Sequence, residues 1–427
     1  MPFHINSYIN RPLIYLSIII HTIFFQLPCL HSYGQTVTFV KNSTVKIEQL
    51  IGDYDRERKT ATKNLTYKKF KLQKTDLGVP FSHNGKTFVL FSDVPGSANR
   101  DPIACSIDTN PADGFSLSFI TGSTSTKWAP INIPGITMGA YQVPVDGISW
   151  NNIMYIYFCT DYKVSAGFAT RTVIARSLDD GKTFEKLYDV STGRFINISV
   201  VKSKTGTGFP ETAGRDVQLM FGSGTYRKSD VYLAYQLADS IGTKHMSYYT
   251  GLTNGTPQWS NDENNAAALF NQPCVGELSV SYNSFIKKWI MLYNCDNPRG
   301  INCRVADNAW GPWEAPFVIF DPWANNGYCH FMHTDWHFAV CDSVHDSNKQ
   351  YVWGGEYGPY QFEDFATGDS TQTTIYYTMS TWNPYTSILM KSKLKKINGP
   401  ASVTINKDGE RKKEYFLKPG DIYEKEE

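Results

Sequence analysis

Five stretches of the chain share one plan, and this repeat constrains the fold more than any other feature. Each stretch has an Asp or Glu, a short extended run, a turn and an aromatic strand. The acidic residues recur regularly: Asp76, Asp146 and Asp216 are 70 residues apart, Glu277 follows 61 later, and Asp335 another 58 later. Five four-stranded units at this spacing predict an all-β, five-bladed β-propeller whose first and last strands lie near one another.

The wider sequence supports an all-β protein. Runs rich in Val, Ile, Tyr, Phe and Thr, such as FVLF, IMYIYF and VYLAYQL, are separated by Asn-Gly and Asp-Gly turn signals. This pattern alone is compatible with a sandwich, a barrel or a propeller, and the repeat favours the propeller. The segment SLDDGKTF, residues 177–184, is similar to the Asp-box hairpin of sialidase-like propellers, where it clamps a turn away from the chemistry.

The N-terminus has the pattern of a secretory signal peptide. Residues 1–34 combine a basic start, an apolar run and small residues before Gln35. An uncleaved anchor helix is the alternative, but His21, Gln26 and Pro28 interrupt the run. We expect cleavage, a secreted or periplasmic protein, and no membrane insertion afterwards.

The remaining chain divides by composition into three parts. Residues 35–65 are polar and are expected to form an N-terminal extension, residues 66–395 the propeller, and residues 396–427 a charged, solvated tail.

Charge and cysteine content exclude several classes of function. The 41 Lys and Arg against 40 Asp and Glu give a net charge of +1, so the basic surplus that nucleic-acid binding needs is missing. No Cys-x-x-Cys pair is present, and no zinc site or other cofactor is expected. Cys295 and Cys303 could close a short loop, while Cys159 fits a packed strand thiol. We expect a monomer.

Carboxylates at the strand starts are the main candidates for chemistry. In a propeller the innermost strands line an axial channel, so Asp76, Asp146, Asp216 and Glu277 should converge at one end, with Asp93 closing the first aromatic strand. Paired carboxylates are the groups used in glycoside hydrolysis, one as acid and one as base or nucleophile. The alternative is that each Asp is simply a turn residue.

Aromatic and histidine residues crowd the last third of the sequence. Motifs such as WGPW, DPW, YVWGGEY and STWNPY would supply flat faces for sugar rings, although core packing must claim most of them. In HFMHTDWH, strand alternation would put His333, Asp335 and His337 on one face. Substrate hydrogen bonding is favoured over a metal site there. No Gly-x-Ser-x-Gly motif supports a serine hydrolase.

The sequence resembles a known family over roughly residues 66–395. The motifs TDLGVPF, HNGKTFVLFSD, RDPIA, GRDVQLMFGSGTYRKSDVYLAY, WGPWEAPFVIFDP, GEYGPY and STWNPYTSILM are similar to those of domain of unknown function family 4185. That family includes glycoside hydrolase family 183, whose members are endo-acting D-arabinofuranases. The resemblance therefore implies a secreted propeller hydrolase acting on D-arabinan.

The resemblance also suggests roles for individual residues. The segment DLGVPFSHNGKTFVLF is also similar to the first blade of the five-bladed arabinanases and fructosidases, which implies that Asp76 is the base or nucleophile. The segment GELS looks like the acid-bearing motif of those enzymes, which implies that Glu277 is the general acid. By the same likeness Asp146 would be the orienting, pKa-tuning carboxylate, and inversion is favoured. Seven further residues are candidates for holding the sugar: Asp93, Arg215, Asp216, His333, Asp335, Trp336 and Glu356. An L-arabinanase, an exo-acting furanosidase, a sialidase and a carbohydrate-binding propeller without catalysis remain alternatives.

Overall fold

The computed structural model describes residues 35–334 and 343–398, and within them five sheets of four to six strands form a five-bladed propeller. The predicted fold class is confirmed. The predicted signal peptide, Asp335, Trp336, His337 and most of the charged tail lie outside the described residues.

The described part of the chain begins with strands that do not belong to the first blade. These elements are β1 (Gln35–Phe39), β2 (Val45–Gln49), the small ribbon β3 (Tyr54–Asp55) and β4 (Thr60–Ala61), and the short helix α1 (Thr66–Phe70).

The first four blades follow in chain order, each beginning with its innermost strand. The first blade contains β5 (Asp76–His83), β6 (Lys86–Ser92), β7 (Ile103–Ser106) and β8 (Ser118–Phe119). The second contains β9 (Pro144–Trp150), β10 (Ile153–Lys163), β11 (Phe168–Ser177) and β12 (Glu185–Ser191). The third contains β13 (Asn197–Lys204), β14 (Asp216–Ser223), β15 (Val231–Leu237), β16 (Ser247–Thr253) and β17 (Thr256–Ser260). The fourth contains β18 (Leu278–Asn283), β19 (Lys288–Asn294), β20 (Ile301–Ala306) and β21 (Phe317–Phe320).

The fifth blade combines both ends of the described chain. Its own strands are β22 (Glu356–Gln361), β23 (Thr367–Gly368), β24 (Gln372–Thr381) and β25 (Thr386–Asn398). A short 3-10 helix, Glu363–Phe365, follows β22, and two others, Ala238–Ser240 and Glu263–Asn265, lie within and directly after the third blade. Strands β1 and β2 both pair with β25 in antiparallel register, so part of the predicted N-terminal extension completes this sheet. The predicted proximity of the first and last strands is confirmed.

Apolar side chains fill the wedges between neighbouring sheets. Strand β5 packs beside β9, β9 beside β13, β13 beside β18, β18 beside β22, and β22 beside β5, which closes the ring. The packing is close: a Cβ on Gly147 of β9 would lie 2.5 Å from the ring of Phe81 on β5, so only glycine fits there. Val37 of β1 is fully buried among residues of the fourth and fifth blades, including Ile290 and Ile388.

The repeat correctly predicted five blades, but it identified the wrong innermost strand in the third and fifth blades. Asp76 begins β5, Asp146 lies in β9, and Glu277 directly precedes β18, all innermost strands. Asp216, however, begins the second strand of its blade, and the innermost strand of the fifth blade begins at Glu356.

Two smaller predictions had different outcomes. The Asp-box clamp is present between β11 and β12, where Asp179 accepts hydrogen bonds from the backbone N–H of Thr183 at 2.9 Å and from its hydroxyl at 2.7 Å. The suggested Cys295–Cys303 bridge is wrong: Cys295 pairs with Cys274, and Cys303 is a buried free thiol, as is Cys159.

The closure of the ring can be tested at β1. Val37→Ala should lower the free energy of unfolding by about 2 kcal/mol, because it removes buried methyl groups between two blades and leaves a cavity. Urea unfolding would measure this, with Gln35→Ala on the exposed end of the same strand as the control. Indistinguishable curves for the parent and both variants would show that β1 does not stabilise the ring.

Candidate active site

The starts of the five innermost strands gather around one cavity, called here the site cavity. Its lining includes residues from all five blades and from loops that join second to third strands: Asp76, Asp93, Tyr141, Phe168, Asn197, Tyr226, Glu277, Tyr357, Tyr360, Trp382 and Tyr385. The later parts of the same five strands line a second space, the channel cavity, toward the opposite end of the axis.

Asp76 is the first residue of β5 and is buried at the edge of the site cavity. Its carboxylate accepts hydrogen bonds from the Ser92 hydroxyl and, at 2.7 Å, from the hydroxyl of Tyr357. Burial raises the pKa of Asp76 to about 6, although bonds from Ser92, Tyr357 and Tyr385 oppose this shift and the charge of Glu277 adds to it. Asp76 therefore titrates just below neutral pH.

Asp93 and Asp101 lie next to Asp76 in the loop after β6. Both carboxylate oxygens of Asp93 accept from the backbone N–H of Tyr141 at 3.1 Å, and its own N–H donates to Asp101 at 3.3 Å. Burial, followed by the charge of Asp76, raises the pKa of Asp93 to about 8. Burial and the charge of Asp93 raise the pKa of Asp101 well above its ordinary value. At neutral pH Asp93 is thus largely protonated.

Glu277 reaches the site cavity from the fourth blade. Its side chain is 6% exposed, and Oε1 accepts a hydrogen bond from the Tyr226 hydroxyl at 2.9 Å. Oε2 is buried and has no hydrogen-bond partner among the residues that the structure describes. One oxygen of this carboxyl group is therefore available to a ligand.

Asn197 is a site residue that the sequence analysis missed. It begins β13, the innermost strand of the third blade, lines the site cavity and is 2% exposed. Within the described ranges neither its amide oxygen nor its amide nitrogen has a hydrogen-bond partner. The sequence analysis assigned Asp216 to this place because it expected an acidic residue at the start of the innermost strand. The alternation of polar and apolar residues in NISV, residues 197–200, indicates a strand that begins at Asn197.

Glu356 begins β22 near the same end of the channel but is tied into an ion pair. Arg299 donates to its carboxylate at 3.1 Å, and the Arg299 guanidinium lies 3.6 Å from the ring centroid of Trp353. Burial raises the pKa of Glu356, while Arg299 and Arg227 act in the opposite direction. This arrangement fixes Glu356 and orients Trp353.

Aromatic rings surround the site cavity on two sides. Phe168 and Tyr226 stack with centroids 4.6 Å apart on the side of the second and third blades. Trp382 and Tyr385 meet edge-on at 5.6 Å on the side of the fifth blade. Such walls suit the apolar faces of a sugar ring, while the carboxylates and Asn197 suit its hydroxyl groups.

Asp146 does not join the other carboxylates. It is the third residue of β9 and lines the channel cavity, where it accepts from the backbone N–H groups of Val200 and Gly147, both at 2.7 Å. Burial raises its pKa to about 7. The structure does not place Asp146 beside Asp76 and Glu277 because two residues of β9 precede it, which sets it further along the channel.

Arg215 and Asp216 lie at the opposite end of the propeller. They occupy the turn between the first and second strands of their blade and form exposed ion pairs, Arg215 with Asp239 at 2.7 Å and Asp216 with Lys204 at 2.6 Å. The expectation that they reach the channel mouth from an innermost strand is wrong.

His333 is buried outside the site cavity. Its Nε2 lies 2.9 Å from the carbonyl oxygen of Gln350, and its ring is 4.9 Å from that of His345. Among residues 35–334 and 343–398, no three His, Cys, Asp or Glu side chains are grouped as metal ligands. No helix in the same ranges is long and apolar enough to cross a membrane.

The sequence matches one family over most of its length. Residues 61–391 match the domain of unknown function DUF4185, and the chain belongs to this family. No curated protein is significantly similar in sequence.

Solved structures share the fold at low sequence identity. A candidate hydrolase from Bacteroides ovatus ATCC 8483 superposes with a TM-score of 0.50 and 11% identity, over 75% of this chain and 86% of that one. An exo-1,5-alpha-L-arabinanase from a bovine ruminal metagenomic library gives 0.40 and 11%, over 76% and 92%. The catalytic domain of a GH62 alpha-L-arabinofuranosidase from Coprinopsis cinerea gives 0.42 and 9%, over 84% and 99%. The first of these similarities supports the fold alone.

The raised pKa values predict how stability depends on pH. An unfolded Asp titrates near pH 3.9, so between about pH 4 and 8 the folded protein binds more protons than the unfolded chain at Asp76 and Asp93. The contribution of these groups to the free energy of unfolding should therefore fall as pH rises through this window. Asp93→Asn should make the dependence shallower and stabilise the protein by about 1–3 kcal/mol at pH 8.5.

Urea unfolding from pH 5 to 8.5 would test this prediction. Asp239→Asn, the same chemical change at an exposed carboxylate, is the control. Parallel stability curves for the parent and Asp93→Asn would contradict it.

Proposed function

We propose that this member of the DUF4185 family is a secreted glycoside hydrolase that cleaves internal D-arabinofuranosyl linkages of D-arabinan. The observation that carries the proposal is that Asp76, Asp93 and Glu277 line one cavity with aromatic walls. Glycoside hydrolysis requires two carboxyl groups at one site, one to donate a proton and one to activate water or attack the anomeric carbon. The resemblance to glycoside hydrolase family 183 supplies the substrate class.

Asp76 is proposed as the base or nucleophile. With a pKa of about 6 it is mostly ionised at neutral pH, and the hydroxyl of Tyr357 helps to orient its carboxylate. A carboxylate in this state can activate water or attack the anomeric carbon. We favour activation of water, and hence inversion of the anomeric centre.

Glu277 is proposed as the general acid. It enters the cavity from the fourth blade, whereas Asp76 belongs to the first, so the two groups approach from different sides of the ring. Tyr226 holds one of its oxygens, and the unpartnered Oε2 can deliver a proton to the glycosidic oxygen.

Asp93 takes the tuning role that the resemblance suggested for Asp146. It lies beside Asp76, and its pKa of about 8 keeps it protonated at neutral pH. An uncharged Asp93 places no second negative charge next to Asp76, which favours the ionised form of Asp76.

An internal point of cleavage is supported by an exposed aromatic ring, Trp323, that lies beyond the site cavity. Gly355 lies between Trp382 at the cavity and Trp353, Tyr328 is 5.7 Å from Trp353, and Trp323 is 4.8 Å from Tyr328. Trp323 is 51% exposed. Tyr328 is only 6% exposed and lies in the same buried cluster as Val37, with Trp353 packed against it. Trp323 is therefore the ring of this row that we propose to bind a polymer chain beyond the site cavity.

Two substitutions test the roles of Asp76 and Glu277. Asp76→Asn and Glu277→Gln should each lower turnover of D-arabinan by about 10²–10⁴-fold, because each removes a proton transfer or the activation of water. Product release would be measured by chromatography, with Asp239→Asn as the surface control and melting temperature as the check on folding.

The same experiment separates the alternatives. Full activity of Glu277→Gln with loss in Asp93→Asn would move the acid role to Asp93. Full activity of both Asp76→Asn and Glu277→Gln would overturn the proposed site. A parent that binds D-arabinan without cleaving it would instead be a carbohydrate-binding propeller. A sialidase has little support, because Arg215, its candidate carboxylate ligand, lies at the opposite end.

The exposed ring of Trp323 predicts a dependence on chain length. Trp323→Ala should lower kcat/KM about three- to tenfold for long D-arabinan oligosaccharides and leave short ones unchanged, since one stacking contact is worth about 0.5–1.5 kcal/mol. Tyr282→Ala, a half-exposed ring near the opposite end of its blade, is the matched control. Equal losses for all chain lengths would contradict a role in polymer binding.

A further inference from the structure

Asn197 stands out among the residues of the site cavity because its side chain is buried without partners. It is 2% exposed, and in the described part of the chain both its amide oxygen and its amide nitrogen lack a hydrogen bond. Buried polar groups of folded proteins are normally paired, since an unpaired buried donor or acceptor costs free energy. A residue of this kind points to a ligand as its partner.

The position of Asn197 shows where in the site cavity such a ligand would bind. Asn197 begins β13, and Glu277 directly precedes β18, the neighbouring innermost strand. The two strands are joined where the backbone N–H of Val280 donates to the hydroxyl of Ser199 at 3.0 Å. Asn197 therefore reaches the site cavity beside the proposed acid rather than at the distal aromatic rings.

The amide group matches two neighbouring hydroxyl groups. Its oxygen accepts one hydrogen bond while its NH2 group donates, and a pair of adjacent hydroxyls can supply a donor and an acceptor at that spacing. A single hydroxyl would leave one of the two amide atoms unpaired. An aliphatic, aromatic or purely anionic group would also leave part of the amide unsatisfied.

We propose that Asn197 binds two vicinal hydroxyl groups of the sugar residue held beside Glu277. The inference rests on the proposed function and narrows its substrate class to glycans in which that residue carries both hydroxyls free. Sugar residues that are branched or acylated at either hydroxyl cannot then bind beside Glu277. The substituent removes the hydroxyl hydrogen that would donate to Asn197, and it does not fit next to the buried amide. Asn197 is a specificity-determining residue in this account.

A binding experiment in a non-hydrolysing background tests the inference. Asp76→Asn is compared with Asp76→Asn/Asn197→Leu by calorimetric titration with linear D-arabinan oligosaccharides and with the same oligosaccharides after O-methylation. Leu is close in size to Asn and has no polar side-chain atoms. The double variant should bind the free oligosaccharide 10–100-fold more weakly, while the weak binding of the methylated one should change little.

Thermal unfolding without ligand distinguishes binding from a structural role. If Asn197 serves a ligand, Leu removes two unpaired polar atoms and the melting temperature should stay the same or rise. A structural asparagine would make the same change destabilising. Asn197→Ala, which cannot overfill the space, is the second variant and should show the same loss of affinity.

The outcomes separate this inference from the proposed function. Equal affinities of the single and double variants overturn the role of Asn197 even if the parent hydrolyses D-arabinan. A parent that binds but does not cleave overturns the hydrolase, whereas the loss of affinity on removing Asn197 still supports the diol site. If D-arabinan, L-arabinan, galactan and xylan oligosaccharides all fail to bind the parent and Asp76→Asn, both proposals are wrong.

Discussion

The closure of the ring, where the fifth blade packs against the first, is the contact on which the rest of the structure depends. A ring of sheets is held only if its last blade packs against its first, and here the last blade is completed by the antiparallel pairing of β1 and β2 with β25. The site depends on the same junction. The Tyr357 hydroxyl of the fifth blade donates to Asp76 of the first, and the Ser380 hydroxyl accepts from the backbone N–H of Leu77 at 2.8 Å. The proposed base is therefore oriented by the strands that close the ring.

Burial gives the gathered carboxyl groups their different properties. Removing a carboxyl group from water disfavours its charged form, and neighbouring negative charges add to the effect. Asp76 keeps a pKa of about 6 because three hydroxyl groups stabilise its charge, whereas Asp93, with a backbone N–H as its partner, is raised to about 8. The arrangement costs folding stability at neutral pH, and the apolar packing between the blades must offset that cost.

The sequence predicts the architecture well because the signals for it are local. Turn residues and aromatic strands mark each hairpin, and an acid at the strand start correctly marks Asp76 and Glu277 as neighbours of one cavity. Whether a strand is the innermost or the second strand of its blade has no such local signal. GRDVQLMF resembles an innermost strand in composition, so Asp216 was assigned to the channel although it begins a second strand. Asn197 was missed for the complementary reason, since its strand starts with an amide rather than an acid.

Residues contributed by loops were the hardest to predict, and this follows from how the site is built. Asp101, Tyr226, Arg299 and Trp382 come from loops between second and third strands, which have no periodic pattern and meet only after the ring closes. Asp76, Asn197 and Glu277 instead stand at the starts of innermost strands, where neighbouring blades fix the backbone. The proposed base and acid, Asp76 and Glu277, thus stand at strand starts, whereas Asp93 and most of the aromatic walls belong to loops. If the proposed function is correct, substitutions in the aromatic loops should change which glycan is bound while leaving Asp76 and Glu277 in place.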